Sequence, residues 1–161
     1  APVYNFAFSP DGKTLIWISR GTVQLMDITA NKMGIKVSHE DFVGAVAMTQ
    51  DGTLLATLSA TTLNKQSVGL VKLIDVASGN EIAKLIQTKG VGRAFAFSPD
   101  GKFLAVGADK TIIVWDVATQ KEVASINGHT DQINSIAFSP DGKTLATSSN
   151  DDSVRLWRIG Q

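Results

Sequence analysis

Residues Gly128–Arg158, GHTDQINSIAFSPDGKTLATSSNDDSVRLWR, form the most regular stretch of the chain and decide its fold. A Gly-His pair opens the stretch, a Ser-Pro-Asp-Gly-Lys turn stands in its middle, and an Asp-rich turn followed by Trp157 closes it. Apolar residues alternate with polar ones on both sides of the central turn, which is the pattern of half-buried β-strands joined in a hairpin. The stretch therefore predicts three consecutive antiparallel strands.

The same arrangement occurs three more times in looser form. The central turn recurs around Asp11, Asp51, Asp100 and Asp141, at steps of 40, 49 and 41 residues. In such a turn proline fixes its own φ, aspartate accepts hydrogen bonds from nearby backbone, and glycine adopts a positive φ. Repetition at this period indicates one supersecondary unit used four times. We place the repeats at approximately residues 1–39, 40–88, 89–129 and 130–161.

Each repeat is predicted to consist of β-strands, because its apolar runs are rich in valine, isoleucine, threonine and phenylalanine and are bounded by turn residues. The first three repeats contain four such runs each and the last contains three. The second repeat is longer than the others, since the mostly polar residues 60–67 stand between its predicted strands Leu54–Ser59 and Leu70–Val76. We interpret residues 60–67 as an exposed loop.

The Gly-His pair, the Asp-Gly turns and the Trp115-Asp116 pair resemble the WD40-repeat family. The resemblance covers essentially the whole chain. It implies an all-β fold of β-propeller blades, each with four antiparallel strands. The last blade would lack its outer strand, and the four blades would be part of a larger ring of seven or eight. Either the chain is the C-terminal part of a longer propeller, or two copies of it complete one ring.

The resemblance also implies a structural role for a set of polar residues in the last repeat. In the family, the Gly-His histidine, a serine of the second strand, an aspartate of the following turn and the tryptophan form a buried hydrogen-bonded tetrad. The matching residues here are His129, Ser149, Asp151 and Trp157. Histidine, serine and aspartate together also suggest a hydrolase triad. A buried network explains them better, because buried polar groups need partners, and we expect no catalytic residue.

The composition argues against several other functions. Fifteen basic and fifteen acidic side chains give a formal net charge of zero, and without a basic run we expect no nucleic-acid partner. The sequence has no cysteine, and its two histidines occupy equivalent positions in different repeats, so we expect no metal and no cofactor. No apolar run reaches about 18 residues, so no membrane span is predicted. A cytoplasmic location is the default without a targeting signal.

Two places are predicted to bind a protein partner. Seven residues before the turn aspartates stand Tyr4, Gly44, Arg93 and Asn134, which the resemblance puts near a central channel. Tyr4 and Arg93 are residue types typical of interface anchors, and Asn134 is a further candidate. Asn64 and Lys65, in the predicted loop, form the second place. The alternatives are a solvated rim and a surface insertion that the fold tolerates.

The predicted function is non-enzymatic: a rigid scaffold for protein–protein interaction. The main alternative is a self-assembling structural module in which two copies form a homodimer and complete one ring. A small-ligand or enzymatic propeller is the third possibility. It would need several acids, histidines or metal ligands that converge on the channel, and the sequence shows no such set.

Overall fold

The computed structural model describes residues 2–40, 42–87 and 91–159, and only the backbone of Ile86 and Gln87. All regular structure in these ranges is β-strand. The strands are β1 Asn5–Phe8, β2 Thr14–Ser19, β3 Thr22–Asp27, β4 Lys32–Ser38, β5 Val43–Met48, β6 Leu54–Leu63, β7 Gln66–Asp75, β8 Glu81–Gln87, β9 Gly92–Phe97, β10 Phe103–Ala108, β11 Thr111–Asp116, β12 Lys121–Asn127, β13 Ile133–Phe138, β14 Thr144–Ser149 and β15 Val154–Arg158.

The strands form four separate sheets in which sequence neighbours pair antiparallel. Strands β1–β4, β5–β8 and β9–β12 form four-stranded sheets, and β13–β15 form a three-stranded one. The all-β fold of propeller-type blades is thereby confirmed, whereas the number of blades in the ring stays a prediction. The repeat boundary that we placed between residues 88 and 89 lies outside the described residues.

The turn between the first and second strands has the same geometry in all four sheets. In the first sheet, Ser9 Oγ donates to Asp11 Oδ1 at 2.6 Å, and the backbone N–H of Thr14 donates to Ser9 Oγ at 2.9 Å. Gly12 closes the turn at φ 70°, which a residue with a Cβ adopts only with strain. The seryl hydroxyl holds the pKa of Asp11 below its usual range. Each turn thus satisfies its own polar groups and fixes the hairpin register.

The core lies between adjacent sheets, which pack face to face. One apolar cluster joins the first and second sheets, another the second and third, and a third the third and fourth. In the last three blades, the leucine four positions after the turn aspartate belongs to one of these clusters: Leu55, Leu104 and Leu145 are all 0% exposed. Blade-on-blade packing of this kind buries both faces of the inner sheets, which explains their near-continuous apolar strands.

Residues 60–67 correct our expectation of an exposed loop. They extend β6 and β7 into a longer hairpin, in which Ala60 pairs with Gly69 and Leu63 with Gln66. Asn64 and Lys65 form the two-residue turn, with φ values of 50° and 64°. The prediction failed because Ala60–Leu63 extend β6 and Gln66–Gly69 extend β7, four residues on each strand. Equal additions keep the register of the two strands, so the ladder continues.

Candidate interaction surface

A chain of buried hydrogen bonds crosses the last sheet. Trp157 Nε1 donates to Thr147 Oγ1 at 2.8 Å, and Thr147 Oγ1 lies 2.7 Å from His129 Nε2. His129 Nδ1 lies 2.8 Å from Asp151 Oδ2. The indole N–H is a donor only, so the threonine hydroxyl accepts a hydrogen bond from it and donates one to Nε2. The imidazole then carries its proton on Nδ1 and donates it to the carboxylate.

The structure replaces one member of the predicted tetrad. Ser149 does not bond the imidazole or the indole: its Oγ donates to the backbone carbonyl of Asp131 at 2.8 Å. Thr147 takes the expected place because Leu145 is the residue paired with Trp157. The hydroxyl nearest the indole on the same face is therefore two residues after Leu145. Counting the register outward from the Asp-Gly turn would have found it.

Three further observations describe the surroundings of this chain of bonds. Gly128 has no room for a side chain, since a Cβ would lie 2.6 Å from Trp157 Cη2. Thr147 is 1% exposed, so its hydroxyl is shielded from solvent. The Ser153 hydroxyl, together with the Thr130 backbone N–H and His129, holds the pKa of Asp151 far below its usual range. The carboxylate stays ionised and pins the loop that carries His129.

The other sheets keep only parts of this arrangement. His39 and Thr57 stand where the last sheet has His129 and Thr147, but both imidazole nitrogens and the threonine hydroxyl are buried without a partner in the described structure. In the third sheet Trp115 Nε1 is buried and has no partner among the described residues, because Val106 replaces the threonine. Burial and the nearby Lys72 ammonium lower the pKa of His39 to about 4.

The predicted partner-binding residues of the first strands lie at one end of the sheets, which we call the channel end. Tyr4 contacts Phe42 edge to face, with ring centroids 5.4 Å apart. Both rings are about half exposed. Phe42 was not predicted, because it precedes its strand and carries no repeat marker. The pair links the first and second sheets at this end.

A groove of about 590 Å³ continues from this aromatic pair, and we call it the channel groove. Phe42, Gly44, Leu58, Ala60, Arg93 and Asn134 are among its lining residues. The structure thus brings Arg93 and Asn134 together with the neighbours of Tyr4. Asn134 Nδ2 donates to Asn150 Oδ1, which orients the amide at the groove edge. Asn64 and Lys65 lie at the tip of the β6–β7 hairpin and do not line the groove.

Comparison with known proteins identifies the repeat. The WD domain, G-beta repeat family matches residues 79–116 and 120–158. Residues 79–116 and 120–158 are therefore WD40 repeats. Each matched segment starts just before the outer strand of one sheet and ends with the third strand of the next, so the WD40 sequence repeat and the structural blade are offset by one strand.

The chain is also similar to a curated protein, SVP1-like protein 2 of Neurospora crassa. The two are 34% identical over 102 residues, which is 60% of this chain. The chain spans only 22% of the length of that relative. WD40 domains generally mediate protein–protein interactions, and the family generally consists of non-enzymatic scaffolds.

Metal sites and membrane spans find no support in the described part of the chain. Within residues 2–40, 42–87 and 91–159, no group of three or more histidine or acidic side chains is placed to hold a metal ion. The same ranges contain no helix that is long and apolar enough to cross a membrane.

Proposed function

We propose that this chain is a non-enzymatic scaffold that binds a protein partner through its channel end. The observation that carries the proposal is the convergence of the Tyr4–Phe42 pair, Arg93 and Asn134 around one groove. Aromatic and arginine side chains dominate the binding energy of protein interfaces. The blades below are held by buried clusters and self-satisfied turns, so the surface is presented on a rigid support.

The test compares partner binding by surface variants of the chain. The double variant Tyr4→Ala/Arg93→Gln removes the two predicted anchors. The matched control, Ile82→Ala/Lys121→Gln, removes an exposed apolar side chain and an exposed cation from outer strands. We expect the first variant to bind a captured partner protein at least about tenfold more weakly than the parent chain does. The control is expected to bind it as tightly as the parent. Equal retention by both variants would contradict the proposal.

We also propose that the four blades are part of a larger ring. Phe6 and Phe8 are 66% and 61% exposed, whereas Phe95, at the position of Phe6 in the third blade, is 9% exposed. The outer face of the last blade is exposed in the same way, since Val154 and Leu156 are each 72% exposed. Both faces have the residue pattern of a blade-packing surface. Further blades of a longer chain would cover them.

Self-assembly is the second candidate, because both of these faces are apolar and exposed. The last blade of one copy would pack on the first blade of another, and two copies would close an eight-bladed ring. Solution mass by light scattering separates the proposals. A discrete dimer that dissociates on Leu156→Glu supports self-assembly, and a monomer or a smear of aggregates supports the larger ring.

A further inference from the structure

The β6–β7 hairpin leaves one strand edge open beside the channel groove. Strand β5 pairs with β6 only as far as Val43 opposite Ser59. Beyond that point β6 continues for four residues, Ala60–Leu63, which pair with β7 on their other side. Within the described residues no strand covers the channel-facing edge of this segment. It contains neither proline nor a charged side chain, the usual devices that protect an exposed edge.

The channel groove meets this edge at Ala60, and two glycines form part of its lining. Ser59 and Ala60 line it from β6, and Gly44 and Gly92 line it from the neighbouring first strands. A Cβ at Gly92 would lie 3.2 Å from Leu58 Cδ2, so the glycine permits the close approach of β9 to β6. At Gly44 a Cβ would meet only the Leu58 carbonyl, at 3.9 Å. The space above Gly44 is therefore open to an occupant.

The charge of the groove comes from Arg93. No carboxylate occurs among the described residues that line it. Arg93 is exposed and makes no ion pair with any carboxylate in the described ranges. Phe42, Leu58 and Val91 supply the apolar part of the lining. A guanidinium next to apolar walls is complementary to a carboxylate on a segment with apolar neighbours.

We propose that an extended acidic segment of a protein partner adds as a strand to the Ala60–Leu63 edge and places a carboxylate on Arg93. Main-chain hydrogen bonds along the edge supply affinity, and the arginine with the apolar pocket supplies selectivity. The inference rests on the proposed scaffold function and names the chemistry of the partner at that surface. It also gives the β6–β7 extension a role that a merely tolerated insertion does not have.

The experiment is a selection of peptides by the 161-residue chain. The probes are eight-residue peptides with an acetylated N-terminus and an amidated C-terminus. Valine and threonine alternate along part of each peptide, and the remaining positions are varied. We expect the bound peptides to be enriched in aspartate and glutamate. A selected peptide is then labelled and its affinity measured by fluorescence anisotropy. Methylation of alternate backbone nitrogens in this peptide removes donors to the edge and is expected to abolish binding.

Three variants locate the binding site. Arg93→Gln removes the positive charge and is expected to weaken binding of the acidic peptide roughly tenfold or more. Gly44→Val fills the open space above Gly44 and is expected to weaken peptide binding similarly. Lys110 is an exposed cation in a turn of the third blade, and Lys110→Gln is expected to leave the affinity unchanged. Thermal unfolding at the parent's midpoint verifies that each variant is folded.

Several results would overturn the inference: selection of no peptide, selection without acidic enrichment, or an acidic peptide that binds Arg93→Gln and Gly44→Val as tightly as the parent. The scaffold proposal fails separately. If a captured protein still depends on Tyr4 and Arg93 while the peptides show no acidic preference, only the acidic-segment inference is wrong. If neither the captured protein nor the peptides respond to these variants, both proposals fail.

Discussion

At the scale of single residues, the two marker tryptophans give the clearest test of the buried hydrogen-bond chain. Trp157 Nε1 donates to the Thr147 hydroxyl, whereas Trp115 Nε1 is buried without a partner in the part of the chain that the structure describes. Replacing each by phenylalanine removes a similar area but a hydrogen bond only from Trp157. We expect Trp157→Phe to cost about 1 kcal/mol more in the free energy of unfolding than Trp115→Phe. Equal losses in urea titration would contradict the role given to Thr147.

The two histidines form a second matched pair. His129→Leu removes two hydrogen bonds and leaves Asp151 without its imidazole, so we expect a lower free energy of unfolding at pH 7. His39→Leu removes a ring whose nitrogens have no partner in the described structure, so we expect no loss or a gain. A larger loss for His39→Leu than for His129→Leu would show that the assignment is reversed.

His39 also predicts a pH dependence. Its pKa in the folded chain is about 4, because burial and the Lys72 ammonium disfavour the cation, against about 6.5 in the unfolded chain. The unfolded chain binds the proton more readily, so the group's contribution is present above pH 6.5 and lost as the pH falls to about 4. We expect His39→Leu to reduce the slope of stability against pH in this window. An unchanged slope in urea titrations would contradict the depressed pKa.

The sequence predicted three of the four residues in the buried hydrogen-bond chain of the last blade. The Gly-His pair and the final tryptophan placed His129, Asp151 and Trp157 in one blade, and the structure brings their side chains together through Thr147. The prediction of Ser149 was wrong because motif spacing along the chain does not specify which residue of the neighbouring strand lies beside the indole. That depends on register, which here follows from the pairing of Leu145 with Trp157. Phe42 lacked any signal, since its contact with Tyr4 joins different blades.

At the scale of elements, the β6–β7 hairpin carries a strained turn. Lys65 has φ 64°, a region in which a side chain costs free energy and glycine does not. We expect Lys65→Gly to stabilise the hairpin by about 0.5–1 kcal/mol and to slow amide exchange of residues 60–69. Lys110→Gly is the control, because in that turn Asp109 rather than Lys110 has the positive φ. Equal effects of the two substitutions on exchange would refute the turn assignment.

The hairpin also shows why an insertion is hard to interpret from sequence. Its polar composition suggested a loop, but Thr61, Thr62 and Val68 favour extended structure and Asn64 accepts a left-handed conformation. The remaining strands were predictable because Asp-Gly turns and apolar alternation agree in every repeat. Where composition and local propensity disagree, the partner strand decides, and that partner is not visible in a single window of sequence.

At the scale of the whole molecule, equivalent positions in different blades differ sharply in exposure. Leu156 is 72% exposed, whereas Val114, at the same place in the third blade, is 2% exposed. We expect Leu156→Glu to change the stability of this chain by no more than about 0.5 kcal/mol and to reduce its self-association. Val114→Glu buries a charge in the cluster between the third and fourth sheets and is expected to unfold the chain. Circular dichroism and light scattering measure both; unfolding by Leu156→Glu would mean that its face is already packed.

The central claim is that the channel end binds a protein partner, and an exchange footprint tests it most directly. Amide hydrogen exchange would be measured on the chain alone and with a captured partner bound. We predict slower exchange in residues 42–44, 59–63 and 91–94, with no change in the four Asp-Gly turns at the opposite end. Protection confined to those turns or to the outer strands would contradict the account.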